Sequence, residues 1–510
     1  MLSTVHIIGI LLTVAVLLAV SVLSGRRVKD AAGFTTGGRS GSWMVCGAIL
    51  GTLVGGQSTI GTAQLAFSFG LSAWWFTVGA ALGALVLGLL YAKPLRNSGC
   101  TTLMEVVRRQ YGRRAETVGS ILFLVGIFIS ITSQLLSSSA MISSLFGFSS
   151  TVALAVGAVL IAALVLVGGI RSAGSGGIVK LVLLYISSLA AGIAVWKAGH
   201  GLEGIRESIE AIYTSPQLAD INDIASTEDI HRRYGTFLAR GALKDLGGCL
   251  SLTLGVVCTQ TYAQAVWSAA STRKAQRGAV FCAALIPLIG AACTLVGMYM
   301  RGHYVTAAEA AAMQQAGETL PDGTGVLENS LQAFPAFILA HMPAWLGGIA
   351  LGTLLINILG CGSGLVLGAA TILTRDVYGN LQTLLKRQFR LGPLAQTRLS
   401  IVLLLLLGVV AAHFMRGSFI NDLGFLSLGL RAAALLLPLS FALWFPGRMD
   451  ARRVTVGMVV GTMAMLAAGL LHLPADPMYY GIAASAFVLT FSLPRGTGKG
   501  RGQSRGGNSG

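Results

Sequence analysis

Two polar clusters interrupt long apolar stretches of this sequence. Gln57 and Ser58 follow paired glycines in AILGTLVGGQSTIGTAQLAFSFG, and Thr259 and Gln260 follow Gly255 in GCLSLTLGVVCTQTYAQAVW. Glycine weakens a helix, and backbone groups freed by a break inside a membrane must be satisfied by a cavity or a ligand. Hydroxyls and amides recognise a solute by hydrogen bonding, so the pattern predicts a solute site formed by Gln57, Ser58, Thr259 and Gln260. The alternative interpretation is that these side chains only bridge packed helices.

A single arginine lies deep in another apolar stretch, LSLGLRAAALLLPL. Arg431 follows the predicted helix start, Leu423 or Gly424, by seven or eight residues, so its side chain cannot easily reach either membrane surface. An arginine at that depth indicates function, and its planar guanidinium suits a carboxylate. We therefore expect an anionic or zwitterionic substrate. The alternative is an internal pair with a carbonyl group or with a carboxylate such as Asp422 or Asp245.

The elements that must position these residues are membrane-spanning helices. Hydrophobic residues make up 54% of the 510 positions, charged residues make up 11%, and the mean hydropathy is +0.75. A span needs about 20 apolar residues. The sequence predicts an all-α membrane protein with about thirteen spans, near 5–24, 43–67, 73–92, 118–146, 151–168, 177–197, 246–268, 279–300, 345–372, 399–415, 423–445, 454–472 and 477–493. We interpret the polar run at 130–139 as hydrogen bonding between helices, with a ligand site as the alternative.

The positive charges predict an orientation. With the N-terminus outside, the predicted inner loops hold 26 of the 36 Lys and Arg residues, and the two long outer loops, near 198–245 and 301–344, are richer in acids. This bias is the rule for cytoplasmic loops. It predicts a multi-pass protein of the plasma membrane, in a bacterium the inner membrane, with a cytoplasmic C-terminus. The net charge of +17 therefore does not indicate nucleic-acid binding.

The sequence contains no pattern typical of an enzyme or a cofactor site. Seven cysteines at irregular spacing predict neither a disulfide framework nor a zinc site. The motif H-E-x-x-H and a phosphate-binding loop do not occur, and G-x-S-x-G occurs once, as GQSRG at 502–506 in the Gly-, Arg- and Ser-rich tail, without the strand–turn–helix pattern that the motif requires. We expect no catalytic residues and no cofactor. The expected partners are a small-molecule solute and the lipid bilayer, without an obligate protein partner.

Several motifs resemble the sodium:solute symporter family. They are GGRSGSW, GGQSTIGTAQLAFSFGLSAWWF, TTLMEVVRRQYG, TQTYAQAVWSAASTRKAQRGA and TILTRDVYGN, and the resemblance covers roughly residues 35–450. It implies the leucine-transporter fold, with two inverted five-helix repeats, a substrate site at the midplane and Na⁺-driven uptake. The expected division is an N-terminal helix and loop (1–40), a first repeat (41–200), an outer loop (201–245), a second repeat (246–446), C-terminal helices (447–493) and a disordered basic tail (494–510).

The resemblance also implies a sodium site, which this sequence alters. The family's backbone-carbonyl positions correspond to Gly51, Val54 and Asn357, and its two hydroxyl positions correspond to Gly360 and Cys361. An aspartate that many members carry in the sixth span corresponds to Gly177. Hard cations require oxygen ligands, and neither glycine nor cysteine supplies one from its side chain. The site is therefore a degenerate sodium site.

Lys180 follows Gly177 by three residues and is a candidate replacement for the ion. In related Na⁺-independent transporters of the same fold, a lysine on this helix reaches the vacant sodium site. Its ammonium group could hydrogen-bond the carbonyls of Gly51, Val54 and Asn357 and exchange a proton in each cycle. The alternative is that Lys180 extends to the cytoplasmic headgroups, and Ser363 with the Asn357 amide could instead hold Na⁺ in an altered geometry. Sodium coupling remains the family default.

A second function class is a membrane sensor that binds a solute without transporting it. Some symporter-like modules are fused to signalling domains, but no kinase or response domain follows residue 494. We therefore predict a secondary active transporter that imports a small organic solute, coupled to sodium, coupled to protons or independent of ions.

Overall fold

The computed structural model describes residues 2–25, 40–172, 177–321, 323–379, 382, 392–471 and 473–490. Every structural statement below concerns these residues. The predicted tail, 494–510, and the basic residues 26–29 lie outside them.

Helices account for nearly all of the regular structure. They are α1 Thr4–Gly25, α2 Ser42–Leu53, α3 Thr62–Phe69, α4 Trp75–Val86, α5 Ala92–Asn97, α6 Leu103–Phe146, α7 Ser150–Ser172, α8 Gly177–Ala198, α9 Gly201–Ile212, α10 Pro216–Ile221, α11 Thr227–Tyr234, α12 Ala242–Val257, α13 Gln260–Ser268, α14 Thr272–His303, α15 Ala307–Gln315, α16 Ala333–His341, α17 Ala344–Ile372, α18 Pro393–Phe414, α19 Ile420–Trp444, α20 Ala451–Leu470 and α21 Pro477–Thr490. Strands β1 Tyr304–Thr306 and β2 Gly325–Leu327 pair in parallel.

Eight helical segments in the described ranges are long and apolar enough to cross a membrane, and the bent pair of α12 and α13 makes nine. Shorter apolar segments cover 4–17, 42–53 and 150–166. Large apolar side chains point outward from the bundle, as at Leu406 and Phe414, where lipid rather than water is the favourable surrounding. The protein is a multi-pass α-helical membrane protein, and the count of thirteen spans stays a prediction.

Two spans are interrupted, as the glycine clusters predict. Helix α2 ends at Leu53, Val54 has the extended angles φ −92° and ψ 95°, and the chain resumes with a π-helical turn at Gln57–Gly61 that continues into α3. Helix α12 ends at Val257, and the axis of α13 is turned by 48° from that of α12. Both breaks interrupt the regular α-helical geometry in the middle of an apolar segment.

Three segments predicted as loops contain helices. The predicted inner loop 93–114 holds α5 and the first turns of α6, which runs for 44 residues through a non-helical Gly112 at φ 82°. The predicted outer loops hold α9–α11 and α15–α16. Helix α9 buries Ile205, Ile209 and Ile212, a spacing that places the three side chains on one helix face. Hydropathy detects spans and not short amphipathic helices, so the sequence did not predict these helices, and the assignment of the three segments to inner and outer loops stays a prediction.

Helix α1 packs directly on the backbone of α17. A Cβ atom at Gly9 would lie 2.9 Å from the Cα atom of Gly348, and one at Gly352 would lie 3.0 Å from the carbonyl oxygen of Ile10. Small residues permit this close approach of two membrane helices. Helix α1 therefore lies against the helix that carries Asn357 and Cys361.

Candidate functional site

The first helix break faces the polar run of α6. The backbone N–H of Gly56 donates to Gln134 Oε1 at 3.3 Å, and Gln57 Nε2 donates to Ser133 Oγ at 2.6 Å. Gln57 retains slight exposure, whereas Ser58 is fully buried and its hydroxyl donates to a carbonyl of its own segment. Gln57 is thus placed where a solute could meet it, and Ser58 is turned toward the backbone.

The second break lies beside Arg431. Arg431 Nη1 donates to Thr259 Oγ1 at 3.1 Å, and Nη2 donates to Ser130 Oγ at 2.7 Å and Ser427 Oγ at 2.8 Å. The guanidinium lies 5.6 Å from the ring centroid of Phe123 and is 2% exposed. Its Nε has no hydrogen-bond partner, and among the described residues Arg431 forms no ion pair. A buried cation is therefore held by three hydroxyls without a counter-charge.

The carboxylates considered as partners of Arg431 bind another arginine. Arg240 precedes α12 and donates to Asp245 Oδ1 at 2.8 Å and to Asp422 Oδ1 at 2.6 Å. Arg240 and Asp245 are almost completely buried, whereas Asp422 is partly exposed. The helix that carries Arg431 starts at Ile420, three or four residues earlier than predicted, so Arg431 lies eleven residues into it.

Gln260 is not brought to the same place as Gln57. Its Oε1 accepts from the backbone N–H of Leu103 at 2.8 Å, and its Nε2 donates to the carbonyl of Thr101 at 3.3 Å. Nearby, Arg96 Nη1 donates to three carbonyls at the end of α13, those of residues 266, 267 and 269. Gln260 therefore joins α13 to the start of α6, and its contact with a solute stays a prediction.

Lys180 lies among the residues of the predicted degenerate sodium site. Lys180 Nζ lies 3.4 Å from the Gly51 carbonyl oxygen, 3.5 Å from the Asn357 carbonyl oxygen and 3.9 Å from Cys361 Sγ. Outside its own helix backbone, a Cβ atom at Gly360 would have Lys180 Nζ, at 3.4 Å, as its only neighbour within 4 Å among the described residues. The side chain extends toward α2 and α17, and its role in coupling stays a prediction.

The third carbonyl of the site accepts from a different donor. Asn357 Nδ2 donates to the Val54 carbonyl at 2.8 Å, and Cys361 Sγ lies 3.9 Å from the same oxygen. Ser363, the suggested substitute ligand, donates to the carbonyl of Gly360 at 2.9 Å. Within the described ranges, Asn357 Oδ1 has no hydrogen-bond partner. Protein donors contact all three carbonyls, and the Lys180 ammonium group lies beside two of them, so a sodium ion bound to the same carbonyls would meet a like charge.

The sequence favoured hydrogen bonding between helices over a ligand site for the polar run of α6. Ser133 and Gln134 bond to the first break, and Ser130 bonds to Arg431, where Ser427 completes the hydroxyl set. The spacing of 130, 133, 134 and 137 places these side chains on one helix face, which was the available signal. Ser427 lies four residues before Arg431 and so shares its face.

Comparisons with known proteins agree with this architecture. The sequence pattern that defines the sodium:solute symporter family matches residues 34–491. The high-affinity choline transporter 1 of Torpedo marmorata is 24% identical over 74% of this chain and 62% of its own length. The uncharacterized symporter YwcA of Bacillus subtilis is 24% identical over 89% of this chain and 83% of its own length. A solved structure of a Na⁺-coupled sialic acid symporter covers 96% of this chain and 97% of its own, at 18% identity and a TM-score of 0.67.

Proposed function

Because the chain belongs to the sodium:solute symporter family, we propose that it is a secondary active transporter that imports a small organic solute by alternating access. One observation carries the proposal: two broken helices present polar groups to α6 and α19 around a buried arginine without a counter-charge. The curated relatives are named as transporters or symporters. No observation in the described ranges favours the sensor alternative.

The proposed substrate site includes Gln57, Ser58, Thr259, Gln260 and Arg431. Gln57 and Arg431 supply the direct contacts, since both lie beside α6 at a helix break. Thr259 holds Arg431 from the second break. Gln260 contributes by fixing the start of α13. The unneutralised guanidinium supports an anionic or zwitterionic solute.

The proposed coupling site is the degenerate sodium site with Lys180 in the place of the ion. An ammonium group beside the carbonyls of Gly51 and Asn357 provides the positive charge that Na⁺ would otherwise supply. Proton coupling or ion-independent exchange follows from this arrangement. Sodium coupling is the second candidate, because a related structure is that of a Na⁺-coupled symporter. We further propose the plasma membrane as the location, with the N-terminus outside and the C-terminus cytoplasmic.

Uptake into proteoliposomes tests the function and the coupling together. Radiolabelled candidate solutes are offered under an imposed Na⁺ gradient, an imposed proton gradient or neither, to wild type, Lys180→Ala and the control Lys197→Ala. Lys197 is exposed at the other end of α8. We expect the wild type either to accumulate solute in response to the proton gradient or to exchange solute without any ion gradient. Lys180→Ala should change this behaviour, and Lys197→Ala should not. Binding without uptake would instead support the sensor, and Na⁺-driven uptake unaffected by Lys180→Ala would refute the lysine's role.

A further inference from the structure

A groove between α20 and α21 combines two arginines with apolar side chains. Its volume is about 400 Å³, and it is lined by Arg452, Arg453, Val456, Phe487 and Val488. A Cβ atom at Gly457 would lie 3.3 Å from Leu489, and one at Gly461 would lie 2.8 Å from Ser485. The two helices therefore run antiparallel in close contact, and the groove lies where α20 begins and α21 ends.

The two guanidinium groups of the groove are available to an outside partner. Arg452 and Arg453 are exposed, and within the described ranges neither side chain forms a hydrogen bond or an ion pair. Asp450 is the one acid in residues 445–453, and it caps α20 by accepting the backbone N–H of Arg453 at 3.1 Å. By contrast, Arg96 donates to three backbone carbonyls. The groove thus carries a positive charge that the protein itself does not use.

The walls of the groove are apolar and face away from the bundle. Val456 is 51% exposed and Phe487 is 67% exposed. Lipid tails are the favourable surrounding for such side chains in a membrane protein. Arg452 precedes Val456 by four residues, which is about 6 Å along the helix axis at about 1.5 Å per residue. A cationic end beside an apolar wall matches an amphiphile better than it matches a free ion.

The position of the groove along the membrane normal points to a lipid headgroup. Arg452 and Arg453 belong to the predicted inner loop 446–453 and directly precede the apolar part of the span Ala451–Leu470. Basic residues at the cytoplasmic end of a span, and basic pockets between helices, attract anionic lipid headgroups. Arginine suits a phosphate in particular, because its planar fork can donate two parallel hydrogen bonds.

The other candidate occupants have the wrong charge. Residues 491–510 of this chain contain four basic residues and no Asp or Glu, so this segment would bring like charges to the arginines. A phospholipid with an ammonium headgroup would also place a cation beside them. A phospholipid whose only charge is its phosphate avoids this repulsion and still fills the apolar part of the groove.

We propose that this groove binds an anionic phospholipid of the inner leaflet. The phosphate contacts Arg452 and Arg453, and an acyl chain lies along Val456 and Phe487. The lipid site is separate from the solute and coupling sites and goes beyond the proposed transport function. Its assignment to the inner leaflet rests on the orientation proposed above.

Lipid titration followed by native mass spectrometry tests the site. The purified full-length protein in detergent is titrated with dioleoylphosphatidylglycerol, dioleoylphosphatidylcholine or glycerol 1-phosphate, and the bound molecules per protein are counted. We expect the tightest phosphatidylglycerol to bind at least tenfold more tightly than phosphatidylcholine. Equal binding of the two lipids would overturn the proposal. Glycerol 1-phosphate that bound as tightly as phosphatidylglycerol would also overturn it, because the groove would then be a site for free phosphate.

Paired arginine variants connect the binding to the groove. Each arginine near a membrane surface strengthens anionic-lipid binding roughly fivefold, so Arg452→Gln with Arg453→Gln should weaken phosphatidylglycerol binding roughly thirtyfold and remove the preference over phosphatidylcholine. The control is Arg273→Gln with Arg277→Gln, at exposed arginines in the first turns of α14, and it should leave the preference unchanged. Phe487→Ser should weaken the binding of both lipids. Equal losses in the two arginine pairs would overturn the proposal, since the attraction would then belong to the basic surface in general.

The melting temperature of the lipid-free protein separates loss of the site from loss of the fold. All four arginines are exposed, so neither pair of substitutions should change it. Arg452→Lys with Arg453→Lys keeps both charges and should retain most of the preference for phosphatidylglycerol. If this lysine pair lost the preference as completely as the glutamine pair while its melting temperature stayed the same, charge would not be the cause and the proposal would fail.

Discussion

Rebuilding the sodium site should raise the sodium affinity of the protein above that of the wild type. The triple variant Lys180→Ala, Gly360→Ser and Cys361→Ser removes the ammonium group and restores hydroxyls at both family positions. Outside its own helix backbone, a Cβ atom at Gly360 meets only the lysine nitrogen within 4 Å among the described residues, so the serine fits once the lysine is gone. The carbonyl of Gly51 also loses its lysine contact and can bind the ion.

The magnitude follows from the distances. Lys180 Nζ lies 3.4 and 3.5 Å from two carbonyl oxygens, so an ion bound to the same oxygens would lie within about 4 Å of the ammonium group. Two unit charges at that distance repel each other by about 4 kcal/mol at an effective dielectric constant of about 20. Because about 1.4 kcal/mol corresponds to a factor of ten, removal of the lysine should improve the sodium dissociation constant by roughly a factor of 10³.

Thermal stability measured against sodium concentration provides the assay. An ion that binds only the folded state stabilises it increasingly as its concentration exceeds the dissociation constant. The melting temperature of the triple variant should therefore rise with NaCl concentration and exceed its value in equimolar choline chloride. Wild type and Lys197→Ala should show no difference between the two salts. The reasoning is refuted if wild type and the triple variant bind sodium with equal affinity, because the ammonium group would then not occupy the site.

Two further predictions concern charges at the ends of the bundle. Arg240→Gln should destabilise the protein by about 3–5 kcal/mol, since Asp245 is fully buried and would lose its counter-charge. Arg232→Gln, in an exposed pair, should change stability by less than about 1 kcal/mol, and equal shifts in melting temperature would contradict this account. Burial raises the pKa of Asp476 above its usual 3.8, so the folded state holds this proton more tightly than the unfolded state, and this group makes the protein less stable as pH rises through the raised value. Asp476→Asn should remove that part of the dependence of the melting temperature on pH. Asp220→Asn, at an exposed aspartate, should keep it, and identical pH profiles of the two variants would refute the assignment.

The helical class and the two breaks could be predicted because hydropathy and glycine clusters are local properties. The broken segments at Val54 and Thr259 lie where the glycines and polar residues are concentrated. Burial of Arg431 also follows from its depth in an apolar stretch. Each of these predictions depends on a few tens of consecutive residues and on the cost of polar groups in lipid.

Partners of individual side chains could not be predicted in the same way. Arg240 and Asp422 are 182 positions apart, and their pairing depends on how two helices meet. Gln260 was assigned to the solute site beside Thr259. It is the next residue in the chain and the first of α13, and there its side chain is turned toward Thr101. The position of Lys180 was anticipated from the family resemblance and not from the spacing of residues alone.

The contact between α1 and α17 has a mechanical consequence. At Gly9 and Gly348 the two backbones touch: the three atoms nearest to a Cβ atom at Gly9 are all backbone atoms, of Gly348 and Ile349. If α17 tilts in the transport cycle proposed above, we expect α1 to move with it, so that a probe attached near Ser3 would report displacement of the helix that carries Asn357. A bulky residue at Gly9 would push α17 away from the position that it has in this structure.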